Sequence, residues 1–267
     1  MEPLIHSIAA LQAKCADLPF AVYSAQQEQK LLNVPIINPV LIFVLSGAKA
    51  LGPESAVECA TGSFVMLPGN AAVNMRNIPK QNAYYAVLLE FTYEDFEGLP
   101  VEPGQAEMVI GEIDKPLSQW LNQFIDYLSW APQSLWAQRK REVLALLVQL
   151  GFSDVLKLRA EPSLSQQLHG LFVQNQFADV SVLSLCEQLA MSESTLRRRL
   201  RAEGTSIQDI KDRARLGHAL HLLQTTSDPI GLVSEKCGYH SQSRFTERFK
   251  GHFGLTPTEL KKTKLTE

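Results

Sequence analysis

Between Ser181 and Glu259 one short pattern is written twice, and it restricts the fold of this chain more than any other feature. The first copy runs from Leu185 to Leu200, the second from Val233 to Phe249. Each reads as an amphipathic helix, a tight turn, a serine placed to cap (Ser192, Ser241) and a second helix. In the second helices, Leu196 and Leu200 recur four apart, as do Phe245 and Phe249. Residues at that spacing share one helical face, so each helix has one stripe to bury. The opposite stripe is polar: Ser194, Arg197, Arg198 and Arg201 in the first copy, Gln242, Ser243, Thr246 and Lys250 in the second. Helical phase turns Arg199 toward the flank. The arrangement is that of a helix-turn-helix, present twice.

The flanking signals agree. Ser206 and Asp209 are spaced as a capping box, opening a helix expected to run to Thr225 with its apolar stripe on Ile207, Ile210, Ala214, Gly217, Leu220 and Leu223. Asp228-Pro229 reads as an N-cap followed by proline at the first helical position. Thr256-Pro257-Thr258-Glu259 is a further capping box, opening a final helix. At about 1.5 Å per residue the helix from Ser206 to Thr225 is roughly 30 Å long. Successive major-groove faces of B-DNA lie about 34 Å apart. A rigid spacer of that length would hold two helices in adjacent turns on one face of a duplex.

The run from Pro229 through Cys237-Gly238-Tyr239, Arg244-Phe245 and Phe249-Lys250 to Pro257 resembles the C-terminal signature of the AraC/XylS transcription regulators. Arg215-Leu216, Ala219 and Leu222-Leu223 match that family's linker helix. The resemblance covers about 100 residues. Three positions depart from it: Ser234 stands where a small Ala is usual, Leu200 where Phe is usual, and Glu247 where some members show DNA a basic or neutral residue. The resemblance implies that Ser194, Arg197 and Arg198 read bases in the first unit, and Gln242, Ser243 and Arg244 in the second. It further implies a promoter in double-stranded DNA as partner, RNA polymerase as a second, and a homodimer.

Charge supports that placement. Residues 163–267 hold 14 Lys and Arg against 11 Asp and Glu, whereas residues 1–162 hold 11 against 17. The basic half coincides with the paired motif, as phosphate neutralisation requires. No apolar run approaches 18 residues and no basic segment precedes an apolar one at the N-terminus, so a cytoplasmic chain with no membrane span is expected. Cys15, Cys59, Cys186 and Cys237 lack metal-ligand spacing and read as buried free thiols, with Cys186 and Cys237 on inward helical faces.

The first 112 residues read mostly as strands. Five are expected: Pro19–Tyr23, Val40–Leu45, Ser63–Leu67, Tyr84–Phe91 and Glu107–Ile110, separated by Gly, Pro and Asn. Such spacing suggests a small antiparallel barrel or jelly roll. Gly62-Ser-Phe-Val-Met-Leu-Pro68-Gly69 resembles half of a cupin motif. Metal cupins need several histidines, and the only one in this half is His6, ahead of the strands, while Val73 occupies a position expected of a ligand. Neither a metal site nor a cofactor is expected, nor a catalytic residue. The interior should be apolar, either a packed core or a cavity for a small apolar effector.

Leu117, Trp120, Leu121, Phe124, Ile125 and Leu128 then follow helical spacing, Ala131-Pro132 breaks it, and Arg139 to Leu150 resumes it. These two helices either make the dimer contact that the resemblance implies or pack on the barrel. The expected class is α+β: a cupin-like sensor barrel (1–115), a helical segment (116–158), a linker (159–163) and an all-α domain with two helix-turn-helix units (164–267), opened by a helix from Leu164 to Phe177. The function this implies is a DNA-binding transcription regulator, more an activator than a repressor, controlled by a small effector. Control by a protein partner or by abundance, and a cupin-type enzyme carrying a DNA-binding tail, are the competing readings.

Overall fold

The structure is a computed structural model that describes every residue except 16, 54, 55, 82, 101, 103, 160, 179 and 265–267. Ala160, inside the expected linker, therefore lies outside the described residues. The chain divides into two compact units, one built on most of the N-terminal strands and the helices that follow, the other on Glu161–Lys262 together with Leu31–Pro35.

The first unit opens with a helix not expected from the sequence, Glu2–Gln12 (α1). Nine strands follow among the described residues: Ala21–Ala25 (β1), Gln29–Ile36 (β2), Val40–Ser46 (β3), Ala48–Leu51 (β4), Val57–Ala60 (β5), Ser63–Leu67 (β6), Ala71–Ile78 (β7), Tyr84–Glu90 (β8) and Val109–Glu112 (β9). They form two sheets, one in the order β1-β8-β3-β6-β9 and one in the order β2-β7-β4-β5. β3 lies between two antiparallel neighbours, with Ile42 opposite Val65 of β6 and Leu88 of β8. This is a cupin-like pair of antiparallel sheets. The five expected strands are those of the first sheet, with β1 and β9 displaced by two residues; the four strands of the second sheet were not expected.

The central strands of the first sheet, β3, β6 and β8, are buried on both faces. Leu41, Phe43 and Leu45 of β3 join one apolar cluster with Leu4, Ile8 and Leu11 of α1. Val40, Ile42 and Val44, which alternate with them, are buried as well. Two more helices cover the outer face, Lys115–Leu128 (α2) and Trp136–Gln149 (α3). Asp114 caps α2 by accepting from the Leu117 N–H. Trp120 and Phe124 stack at 4.9 Å, and Trp120 lies 6.4 Å from Phe43 of the sheet. Packing on the sheet is thus what the apolar stripes of α2 and α3 do. In α3 the buried residues are Trp136, Val143, Leu144 and Leu147, whereas Leu146 and Leu150 are only partly covered.

The inner face corrects one expectation. The interior is not uniformly apolar: Lys49, Asn77 and Gln29 are each about 1% exposed or less. Nor are all four cysteines buried, since Cys15 is half-exposed. No cluster of three or more His, Cys, Asp or Glu able to hold a metal occurs among the described residues, and no described helix is long and apolar enough to cross a membrane.

The second unit is helical: Leu164–Gln174 (α4), Val182–Gln188 (α5), Glu193–Ala202 (α6), Ile207–Thr225 (α7), Ile230–Lys236 (α8), Gln242–Phe253 (α9) and Pro257–Thr263 (α10). α4 stops three residues short of the expected Phe177, because Gln176 and Phe177 both take positive φ (50° and 59°) and end the helix.

Candidate nucleic-acid interface

The two helix-turn-helix units are α5–α6 and α8–α9, joined by α7. Their turns are built alike. In the first, Ala190 N–H donates to Glu187 C=O and Met191 N–H to Cys186 C=O; in the second, Gly238 N–H donates to Glu235 C=O and Tyr239 N–H to Ser234 C=O. Ala190 and Gly238 take the left-handed conformation at equivalent points (φ 49° and 73°). At Gly238 a Cβ would come within 2.9 Å of the Phe177 carbonyl and of Arg215, so glycine is required there for space as well as for φ.

Each second helix begins where the serine caps it. Ser192 Oγ accepts from Thr195 N–H at 3.3 Å, and Ser241 Oγ from Arg244 N–H at 3.4 Å. Ser206 caps α7 through Asp209 N–H, and Thr256 and Glu259 satisfy each other's backbone donors at 2.7 and 3.1 Å. The expected cap at Asp228 is displaced by one residue: Pro229 is the N-cap of α8, and Asp228 instead pairs with Lys236 at 2.7 Å.

Below the turns lie two cores. Leu196 and Leu200 of α6 pack with Leu185 of α5, Leu168 and Phe172 of α4, and Ile210 and Ala214 of α7. In the second unit Phe245, Phe249 and Phe253 of α9 are fully buried, with consecutive ring centroids 5.7 and 4.6 Å apart. α7 is buried on more of its circumference than one stripe: Leu216 and Ala219 are covered, while Ile207 and Gly217 of the expected stripe are only partly so. Serving two cores is the reason. Arg215 of α7 ties the halves together, donating to the Phe177 carbonyl at 2.9 Å and lying 5.7 Å from the Tyr239 ring. The sequence marked Arg215 only as part of the linker-helix match, and nothing in it showed this structural role.

The expected contact residues fall on two helices. Ser194, Arg197, Arg198 and Arg201 are exposed on α6; Gln242, Ser243, Arg244 and Lys250 are exposed on α9, and Thr246 is half-buried. Arg199 is also exposed, so only helical phase distinguishes it from its neighbours. Arg197 is held by Glu193 one turn earlier at 2.7 Å. Arg198, Arg201, Arg244 and Lys250 make no ion pair with any described residue, which leaves four cations available to an anionic partner. Glu247, exposed on α9, places an acid among them.

Residues 185–263 match a family described as a helix-turn-helix domain. The segment is a helix-turn-helix domain of the AraC/XylS type. Among curated proteins, the chain is 29% identical over 134 residues to the HTH-type transcriptional regulator GadX of Escherichia coli O6:H1, covering 48% of this chain and 49% of that one. It is 36% identical over 78 residues to the HTH-type transcriptional regulator YdeO of E. coli K12, covering 29% of this chain and 30% of that one. The chain thus spans half or less of the curated relatives it matches. Among solved structures, unsaturated fatty acid-bound ToxT from Vibrio cholerae strain SCE256 matches with a TM-score of 0.65 at 12% identity, covering 93% of this chain and 96% of that one. A single-substitution variant of apo ToxT from the same strain matches with a TM-score of 0.67 at 13% identity, covering 93% and 99%. The fold around the AraC/XylS-type domain is therefore ToxT-like: antiparallel β-sheets followed by helical helix-turn-helix units.

Proposed function

We propose that this chain is a sequence-specific DNA-binding transcription regulator, working in the cytoplasm as a homodimeric activator that recruits RNA polymerase at its promoter. The observation that carries this reading is the repeated unit: two turns with the same hydrogen bonds, two serine-capped helices, and exposed polar faces on both, at either end of one 19-residue helix. Ser194, Arg197, Arg198, Arg201, Gln242, Ser243, Arg244, Thr246 and Lys250 are the residues assigned to DNA. In this reading 1–115 senses, 116–158 dimerises, 159–163 links and 164–267 binds DNA.

The effector is a small, largely apolar molecule held in the N-terminal sheets. Two things support it: the apolar residues on the inner face, such as Ile42, Val44 and Val65, and the fatty acid held by the ToxT-fold neighbour. Since α2 and α3 spend their apolar stripes on the sheet, the dimer contact falls on the segment between them, where Trp130 (66% exposed) and Leu135 (42%) lie outside. Trp130→Ala should shift the full chain from dimer to monomer in sedimentation at unchanged melting temperature.

Sequencing the DNA fragments bound in cells tests the main reading; enrichment of one motif is expected, and uniform recovery of the genome contradicts it. Thermal melting against apolar acids, sugars, aromatics and fatty acids tests the effector. A ligand at a hundredfold excess over its Kd raises stability by about 2.7 kcal/mol. A panel without a single shift assigns control to a protein partner instead.

A further inference from the structure

Lysine is almost never fully buried without a partner of opposite charge. Lys49, in the middle of β4, is 1% exposed. Its cross-strand neighbours are Cys59 of β5 on one side and Asn77 of β7 on the other. The amine lies 2.8 Å from Asn77 Oδ1 and 3.4 Å from the Tyr84 hydroxyl of β8. Asn77 Nδ2 in turn donates to Gln29 Oε1 of β2 at 2.8 Å. Strands drawn from both sheets thus meet at one amine, and no carboxylate of any described residue pairs with it.

The groups facing Lys49 offer no counter-charge. Cys59 is pushed up by burial, so its thiol keeps its proton. Tyr84 and, beyond it, Tyr23 of β1 are likewise raised by burial and stay phenols. Asn77 and Gln29 do not titrate. The acids on these strands are engaged elsewhere: Glu28 of the β1–β2 turn pairs with Arg76, and Glu58 of β5 with Lys80. Glu90, at the end of β8, acts on Tyr23 rather than on Lys49. The Tyr84 ring, 5.6 Å from Nζ, and Asn77 Oδ1 both favour a cation, and Cys59 acts weakly in the same direction, but burial outweighs them. Burial accordingly lowers Lys49 to about 7.

The hydrogen bonds change with the proton. As a neutral amine, Nζ can donate one N–H to Asn77 Oδ1 and accept the Tyr84 O–H on its lone pair, so both partners are matched. As an ammonium it has three N–H groups to place against two acceptors among the described residues, and the Tyr84 O–H loses its own acceptor.

We propose that Lys49 is a proton-binding site of the N-terminal unit, and that taking up one proton there loosens the two sheets against each other. The proposal rests on the reading of this unit as the sensor only in assigning it a regulatory use. The sign follows from linkage. Unfolded, the amine binds its proton up to about 10.4; folded, it releases it near 7. Between those values the unfolded chain holds more protons, so stability rises with pH above 7, and the full cost of the charged amine is present below it.

The test uses the full chain. Denaturant midpoints are measured from pH 6 to 9 for the wild type and for Lys49→Met, which keeps the length and removes the charge. The expected result is a midpoint that rises with pH in the wild type, with that rise reduced in Lys49→Met. Parallel curves overturn the proposal. Should Lys49→Met fail to fold, lysine amine resonances of the labelled wild-type chain decide: one titrating near pH 7 supports the site, and all remaining charged above pH 9 overturns it. Promoter affinity measured at pH 6.5 and 8.5 separates the two claims. A Lys49-dependent stability profile with unchanged affinity keeps the proton site and removes its regulatory use, leaving the DNA-binding reading intact.

Discussion

Arg198 and Arg199 are adjacent in the chain and about 100° apart around α6, so they face different surroundings although both are exposed. Arg198 lies opposite the Leu196–Leu200 stripe and makes no ion pair with any described residue, so no described side chain holds it back from an anionic partner. Arg198→Ala should weaken promoter binding by about 1–3 kcal/mol and relax preference at a single base position, as loss of a bidentate guanine contact would. Arg199→Ala should cost less. Binding titrations over a library randomised at each site position measure both. A uniform loss over all sequences would make Arg198 a phosphate contact, and a larger loss at Arg199 would rotate the helix. Arg197 differs again, because a DNA contact there would require its Glu193 partner to be released or carried along. The separation of Arg198 from Arg199 needs only helical phase and was legible in the sequence, whereas the Glu193 pair was not read there. Lys49 was not, since nothing in Ala48-Lys49-Ala50-Leu51 tells a buried lysine from one at a strand edge.

At the scale of elements, α8 and the turn that follows it carry two residues whose replacement should act in opposite directions. Ser234 is buried and its hydroxyl has no partner among the described residues, where the AraC/XylS resemblance implies a small Ala. Ser234→Ala should therefore stabilise, by about 1 kcal/mol, the cost of a buried unsatisfied hydroxyl. Gly238→Ala should destabilise by more than the roughly 1 kcal/mol cost of left-handed backbone alone, because its Cβ meets Arg215 and the Phe177 carbonyl. Denaturant unfolding of the two variants checks both signs. The strands show why some elements were readable and others not. β3, β6 and β8 are covered on both faces, so they appear as continuous apolar runs such as Val40-Leu-Ile-Phe-Val-Leu45. β2, β5 and β7 expose residues such as Lys30, Glu58 and Ala72, and their polar content hides them among turn signals. α1 was hidden differently, as a short helix whose apolar stripe is only Leu4, Ile8 and Leu11.

The whole molecule should lose stability in acid through its second unit. His169 of α4 is half-buried against Arg213 and His218 of α7; burial first, then those charges, pushes it down to about 4. His218 is lowered too, mainly by burial. Unfolded, each imidazole takes its proton near 6.5; folded, it resists. The unfolded chain thus binds more protons below about 6.5, and stability falls as pH drops from there toward 4. The denaturant midpoint should be lower at pH 5 than at pH 7, with a smaller difference in His169→Gln. A dependence unaffected by His169→Gln would assign the acid loss to other groups.

The claim that organises the rest is that both helix-turn-helix units enter DNA, held one helical turn apart by α7. Hydroxyl-radical and methylation footprinting of the full chain on its bound fragment addresses it directly. Each protomer should protect two major-groove segments on one face of the duplex, centred about 10–10.5 base pairs apart. Protection of a single groove segment per protomer would contradict it.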